Sequence, residues 1–516
     1  MATTTNTLLT EAHDLQATCP DTARASHESR VWDGPGRTID EPSVPKSSNV
    51  RIATTIVQLA SINLLSSFTN GVITVGLPTI ARDISLAREL YLWPISVFGL
   101  TCGSMLLMAG SIADVVGARR GELVGCFMLG VFSLACGLGH TEIRLTLFRA
   151  FQGVAMAIHL PATVSIVTAT IPKGKARNMA FAALGFARDI GYSVGLVLGG
   201  VLIQTSGWRL NFYLAGGAML IIATVAVWGL PKEKDISSII ISGGLALLTY
   251  VLAVISADLA SVRSASTSAL LATSLVLLIA FPFWMSYRER HGKPALIPNS
   301  LWKHASFAST CVILAMSNGV VIAMELFSSL YFQEIQDAGT FTTSLQLLPN
   351  VVVGVVIGLS CGLFVDKVAA GWLVTLTSIL CACAPLLMAV MDPKWTYWYV
   401  AFWAQALSPF SVDVLVTVGM LIVSDVFPDT SQALAGAVFN TVGQFGLSFG
   451  VGLCQLVASA VTGNQGQAES SELLEGDTLL RGYRASFWTM HGFMLLCTIV
   501  ALFGLRRVGK VGLKRD

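Results

Sequence analysis

Residues 110–120 read Gly-Ser-Ile-Ala-Asp-Val-Val-Gly-Ala-Arg-Arg, a glycine-bearing link between two long apolar stretches. Residues 362–366 repeat its opening as Gly-Leu-Phe-Val-Asp, again after an apolar stretch. Asp114 and Asp366 stand 252 residues apart. A second signature keeps that offset: Gly191, Gly195 and Gly199 are answered by Gly443, Gly446 and Gly450, with Gly191 and Gly443 also 252 residues apart. One glycine coincidence is cheap, but two different motifs sharing one offset read as a duplication.

Outward from this link, apolar stretches fill the chain at 52–78, 91–111, 122–140, 143–170, 178–204, 211–230, 236–257, 267–286, 306–332, 343–364, 371–390, 396–424, 431–461 and 485–505. A hydrocarbon core about 30 Å thick takes about 20 helical residues, and lipid leaves backbone polar groups no partner outside a helix. The expectation is an all-α, polytopic membrane protein with 14 transmembrane helices arranged 6+2+6. Residues 51–231 form the first six-helix half and 304–505 the second. Residues 232–303 form an inserted two-helix hairpin with a cytoplasmic linker. Parallel halves place a transporter's substrate site at their interface near the midplane.

Composition agrees, with 54% hydrophobic residues, 12% charged and a mean hydropathy of +0.70. A net charge of +2 without basic runs outside the loops argues against nucleic acid. The ten cysteines form no disulfide or metal pattern, and seven scattered histidines offer no catalytic cluster, so the chain reads as no enzyme. Residues 1–50 are polar and lack the apolar run of a cleaved signal peptide, so they read as a disordered cytoplasmic tail. With that tail inside, inner loops and the basic tail 506–516 carry 17 Lys and Arg against 8 outside, which favours both termini cytoplasmic. The outer segment 462–484 is polar and net acidic. Trp93, Trp208, Trp284 and Trp395 lie near span ends, as an aromatic belt would.

Several positions carry chemistry. Gly117 suits a turn too tight for a Cβ, and Asp114 sits where a helix start favours a carboxylate. Arg119 and Arg120 can hold the link on the cytoplasmic side or pair with carboxylates. Arg149 lies inside span 4 as Arg149-Ala-Phe-Gln152-Gly153; a membrane-embedded Arg is costly and serves either function or a structural bond to carbonyls. Asn63, Ser67, Asn70 and Thr74 form a stripe along span 1 that lines a cavity or bonds a neighbouring helix. Glu325 shares a face of span 9 with Asn318 and Ser329, and Asp413 lies mid-span 12 near Thr417. Asp189 in span 5 adjoins Arg188, which reads as a locally neutralised pair. His159 and His491 read as packing or hydrogen-bonded residues.

These motifs resemble the major facilitator superfamily, in its fourteen-span drug:proton antiporter branch and a fungal-type version of it, over roughly residues 51–505. The resemblance implies that Gly110, Asp114, Gly117, Arg119, Arg120 and Asp366 form a conformational gate together with Gly191, Gly195 and Gly199, glycines that let helices approach and slide. It implies proton coupling at Arg149, with Glu325, Asp413 and Asp189 as candidate carboxylates. Asn440 and Gln444 also match a family pattern, and with Gln152, Asn318, Ser329 and the span 1 stripe they make up the expected substrate cavity. The chain departs at Thr69, where the family usually has Asp, and at Leu196, where it usually has Pro. The expected function is proton-coupled efflux of toxic compounds or secondary metabolites by alternating access. The alternative is uptake, or vacuolar exchange, of a small amine, amino acid or iron chelate. The expected partners are protons, the lipid bilayer and a small organic substrate, with no cofactor beyond the proton gradient. A monomer in the plasma membrane is expected, with the vacuolar membrane as the other location.

Overall fold

The computed structural model describes residues 49–86, 90–171, 175–229, 301–364, 368–427, 429–463, 472–506 and 508–509. Among the described residues there are helices and no strands. The first half contains α1 (Asn49–Asp83), α2 (Trp93–Val116), α3 (Ala118–Gly137), α4 (Glu142–Thr170), α5 (Lys175–Ser206) and α6 (Trp208–Gly229). The second contains α7 (Ala305–Leu330), extended by a π turn at Tyr331–Ile335, then α8 (Thr340–Phe364) and α9 (Ala370–Val390). It continues with α10 (Ala401–Leu407), α11 (Phe410–Val426), α12 (Asp429–Gly463) and α13 (Glu472–Gly504). Eleven described segments are long and apolar enough to cross a bilayer, α10 and α11 counting as one of them, and α2 adds a shorter apolar run at Trp93–Leu106. The two spans expected at 236–257 and 267–286 lie outside the described residues, as does the tail 1–48.

Local chemistry sets the joints. Gly117 separates α2 from α3 at φ 97°, and Gly207 separates α5 from α6 at φ 86°, left-handed backbone that a Cβ disfavours. Thr141 caps α4, its hydroxyl accepting from the Arg144 N–H at 3.4 Å. The rod expected at 396–424 starts later, at Ala401, and breaks at Ser408-Pro409 into α10 and α11. Proline removes a helical N–H and crowds the preceding turn, which explains the break. The acidic outer segment also differs from expectation, because α12 runs on to Gly463 and α13 already begins at Glu472. Trp208 departs from the aromatic belt: it is buried and donates from Nε1 to Asp83 at 3.0 Å, whereas Trp93 and Trp395 are exposed.

The duplication read from the glycines is visible in the packing. In the first half α1 packs on α5, α2 on α4, and α3 on α6; in the second, α7 packs on α12, α8 on α10 and α11, and α9 on α13. The lobes meet through α2 against α12 and α5 against α8, a symmetrical pair, with α1 touching α7. Hydrogen bonds cross from Gln333 Nε2 to the Val75 carbonyl at 2.9 Å and from Ser448 Oγ to the Ser96 carbonyl at 2.9 Å.

The repeated glycines make their close approaches inside each lobe. A Cβ on Gly191 would stand 2.1 Å from the Leu64 carbonyl, and one on Gly195 would stand 2.3 Å from that of Phe68, so α5 lies backbone-to-backbone on α1. Gly446 meets Ala315 and Gly450 meets Gly319 in the equivalent α12–α7 contact. The glycine facing the other lobe is Gly200, whose Cβ would stand 2.1 Å from Ser344 Oγ on α8. Replacing Gly195 by Val forces α1 and α5 apart; a loss of about 1–3 kcal/mol is expected, measured as a lower melting temperature of the detergent-solubilised chain. Gly217→Ala, at a position with nothing within 4 Å, serves as the tolerated control.

Candidate transport site

Arg149 is fully buried among α1, α2 and α4, and each part of its guanidinium has a partner. Nε donates to the Pro94 carbonyl at 3.0 Å, Nη1 to Gln152 Oε1 at 2.8 Å, and Nη2 to Asn70 Oδ1. Its Cζ lies 4.5 Å from the centre of the Phe98 ring, which adds a cation–π contact. Gln152 passes the bonding on, donating from Nε2 to Ser133 Oγ on α3 at 2.6 Å. Gly153 completes the motif: its Cβ would stand 2.0 Å from Thr101 Oγ1, so only glycine lets α2 come this close to α4. Amides, a carbonyl and an aromatic face, with no carboxylate, thus accommodate the charge. The motif ties four helices of one lobe together, α4 with α1, α2 and α3.

Glu325 sits where the lobes meet. The residue is 6% exposed, and its carboxyl has a partner on each side. Asn350 Nδ2 on α8 donates to Oε1 at 2.9 Å, and Tyr192 on α5 in the other lobe bonds Oε2 through its hydroxyl. Tyr192 Oη also lies 3.1 Å from Thr74 Oγ1, and Thr74 reaches the Asn70 carbonyl at 3.0 Å. Asn70 is the residue whose side chain accepts from Arg149. Glu325 and Arg149, far apart in sequence, therefore belong to one hydrogen-bonded path from the lobe interface into the first lobe.

Asp413 on α11 is partly buried, and its Oδ2 lies 2.7 Å from where a Gly354 Cβ would be, so glycine makes room for it on α8. Its electrostatic neighbours across the interface are Asp189 and Arg188. Those two form an ion pair, Arg188 Nε to Asp189 Oδ1 at 3.3 Å, with side chains 56% and 41% exposed. The remaining polar residues divide. Asn63, Ser67, Thr74, Gln152 and Ser329 are buried, Asn70, Asn318 and Gln444 are partly exposed, and Asn440 is exposed. Ser329 is tied to Gln333 Nε2 at 3.0 Å, while Asn440 donates back to the Gly436 carbonyl of its own helix at 3.0 Å.

At the link that opened the sequence reading, Gly110 and Asp114 belong to the last turns of α2, and Arg119 Nη2 donates to the Val227 carbonyl at the end of α6. Asp366 lies outside the described residues. His491 bonds the Ala382 carbonyl at 2.9 Å, in keeping with a packing role.

Three contributors escaped the sequence reading. Tyr192 stands inside the glycine signature, where attention fell on spacing. Asn350 follows Pro349 in an apolar helix, and Glu122 follows Arg119 and Arg120 closely enough to pass for part of their polar link. Glu122 is fully buried in α3, facing His159 on α4, with Nδ1 to Oε1 at 3.0 Å. Cys126 Sγ donates to the same oxygen at 3.0 Å, and Thr163 Oγ1 donates to Oε2 at 3.2 Å. These donor atoms of Glu122, Cys126 and His159 all lie within 4.8 Å of one another, yet hydrogen bonds already occupy them. Glu122 and His159 thus satisfy each other in a fully buried position, where an unpaired polar group is costly.

Among the described residues, two lobes of six rods that meet around an embedded carboxyl define a two-lobed, multi-pass membrane transporter. Comparison agrees. The profile of the Major Facilitator Superfamily matches residues 59–451, and the chain belongs to that superfamily. It is 36% identical over 526 aligned residues to MFS-type transporter 1 of Pyricularia oryzae, covering 90% of this chain and 85% of that one. It is 24% identical to the puromycin resistance protein pur8 of Streptomyces alboniger, over 86% of this chain and 90% of that one. In fold it is similar to a bacterial homologue of the human lysosomal transporter Spinster, crystallised in an inward-facing, occupied conformation. The TM-score is 0.66 at 16% identity, over 89% of this chain and 98% of that one.

Removing either member of the Glu122–His159 pair strands the other in a dry interior. Glu122→Leu alone is expected to cost about 3 kcal/mol, read from the melting temperature, and Glu122→Leu with His159→Leu is expected to cost less than Glu122→Leu alone. Additive losses would show that the two residues do not act as a unit.

Proposed function

We propose that the chain is a proton-coupled exporter of amphipathic, uncharged or weakly charged organic compounds, toxic agents or secondary metabolites among them. The observation that carries this reading is Glu325, an embedded carboxyl clasped by Tyr192 of one lobe and Asn350 of the other. An ionisable group inside a membrane is costly, and at a moving interface it is the natural place for a proton to be exchanged. Protonation removes the charge from the interface, and ionisation restores it. A proton arriving from one side and leaving on the other therefore biases the lobes between two arrangements.

The drug-resistance name of a relative that matches most of the chain supports export. The neutral polar groups left partly exposed, Asn70, Asn318 and Gln444, suit hydrogen bonding to a weakly charged cargo rather than reading of sugars or phosphates. With both termini in the cytoplasm, the ends of α1, α5 and α7 lie outside. The contacts of Gln333 with Val75 and of Gly200 with Ser344 then close the outer face, as an inward-open exporter awaiting cytoplasmic cargo requires. The protein works as a monomer in the plasma membrane, driven by the proton gradient without a cofactor. Asp413, facing Asp189 and Arg188, is the second site through which protons act.

Drug-sensitive yeast cells expressing the full chain provide the test, with a panel of lipophilic toxicants that includes puromycin. Expression is expected to lower intracellular toxicant, and a protonophore to restore it. Glu325→Gln is expected to abolish the effect, with Asp413→Asn assayed separately. Accumulation that falls equally with and without a protonophore would contradict proton coupling, and raised accumulation would contradict export.

A further inference from the structure

Tyr192, Thr74 and Asn70 form a chain whose proton count does not close unless Glu325 supplies a proton. Three contacts lie in series: Glu325 Oε2 with Tyr192 Oη, Tyr192 Oη with Thr74 Oγ1 at 3.1 Å, and Thr74 Oγ1 with the Asn70 carbonyl at 3.0 Å. The carbonyl only accepts, and the two hydroxyls carry one proton each. Two protons cannot make three hydrogen bonds. All three form at once only when the carboxyl of Glu325 is protonated and donates to Tyr192, which donates to Thr74, which donates to Asn70. When Glu325 is ionised it accepts from Tyr192, whose single proton no longer reaches Thr74, and Thr74 gives its own proton either to Tyr192 or to the Asn70 carbonyl.

We propose that Tyr192 is a positioning residue that registers the protonation state of Glu325 on the opposite lobe, by donating to Thr74 only when Glu325 is protonated. The inference rests on the proton-coupled reading above and says how a proton on α7 is felt by α1. The location suits the role. Thr74 and Asn70 are one turn apart on α1, and the Asn70 side chain takes one end of the Arg149 guanidinium. The path continues through Gln152 to Ser133 on α3. Protonation thus adds one bond to the helix that also anchors the buried arginine, and ionisation removes it. No proton need travel along the path; only the pattern of donation changes.

Among the described residues the ionisable neighbours of Glu325 are Tyr192 on α5 and Asp413 on α11. Asn350 on α8 and Thr74 on α1 are neutral, and α10 reaches α7 through Gln405 Nε2 on Ser328 Oγ at 2.9 Å. The helices α12 and α13 meet α7 through Gly446 and Phe487. Asp413 in turn faces Asp189 and Arg188. Asp413→Asn is therefore a control that changes the field at Glu325 without touching the relay.

Bond strength and bond count together give opposite signs for two substitutions, which a merely structural role would not. Tyr192→Phe costs the protonated form two neutral bonds but leaves the buried carboxylate of the ionised form without its charge-assisted donor, the larger loss, and so favours the protonated form. Thr74→Val removes two bonds from the protonated form and one from the ionised form, and so favours the ionised one. The probe is the proton itself, without cargo. Infrared difference spectra of the full chain in liposomes are recorded across pH, and the carboxylic-acid band that vanishes in Glu325→Gln is followed. Tyr192→Phe is expected to move the midpoint of that band to higher pH by about one unit. Thr74→Val is expected to move it to lower pH by roughly half a unit, and Thr74→Ser to leave it in place. In the Tyr192→Phe background, Thr74→Val is expected to add nothing.

Shifts of the same sign, or a Thr74→Val effect that persists without the tyrosine hydroxyl, would overturn the relay while leaving proton-coupled export standing. If Tyr192→Phe fails to fold, the Thr74→Val and Thr74→Ser pair decides alone, because any shift other than downward for Val and none for Ser contradicts the count. Loss of proton-driven export in the yeast assay is a separate outcome, and its failure would remove the functional reading whatever the infrared midpoints show.

Discussion

Hydrocarbon offers no hydrogen bonds, so every polar group inside this bundle must find its partner within the protein. That constraint organises the interior. Arg149 meets it with a carbonyl, two side-chain amides and an aromatic face. Glu122 meets it with the His159 ring, a thiol and a hydroxyl. Glu325 meets it with one partner from each lobe. The first two arrangements lie within a lobe, and the third spans the boundary between lobes.

The glycine repeats show the mechanical side of the same division. Gly191 and Gly195 press α5 onto the backbone of α1, and Gly446 and Gly450 press α12 onto α7. Contacts this close join the two helices of each pair backbone to backbone. Gly200 sits nearer the C-terminal end of α5 and lets α8 of the other lobe approach. In the proposed relay the effect of a proton on Glu325 is felt at α1 because α1 and α5 are already joined at Gly191 and Gly195, on either side of Tyr192.

The architecture was largely legible, because periodic apolar length and a duplicated offset are global signals. They place the rods to within a few residues and pair α1–α5 with α7–α12. Boundaries failed where a single residue overrode hydropathy, as Pro409 does in splitting α10 from α11. Segment 472–484 failed in the opposite way, since polar residues there continue α13 rather than form a loop. Arg149, Glu325 and Asp413 stood out because charge is rare in apolar helices. Their partners stood out only in part. Asn70, Thr74 and Gln152 are polar residues in apolar spans. Tyr192 and Asn350 are ordinary residues until the fold sets them around one carboxyl, and Glu122 was masked by the basic residues beside it. Sequence shows which groups need partners; only packing shows which partners they get.

The central claim is that the charge on Glu325 sets the relation between the lobes. Spin labels at Met179 on α5 and Val368 before α9 report that relation through pulsed dipolar distance measurements in liposomes. The wild-type distance distribution is expected to change between acidic and alkaline pH, and that of Glu325→Gln to stay the same at both. A pH response that survives unchanged in Glu325→Gln would contradict the account.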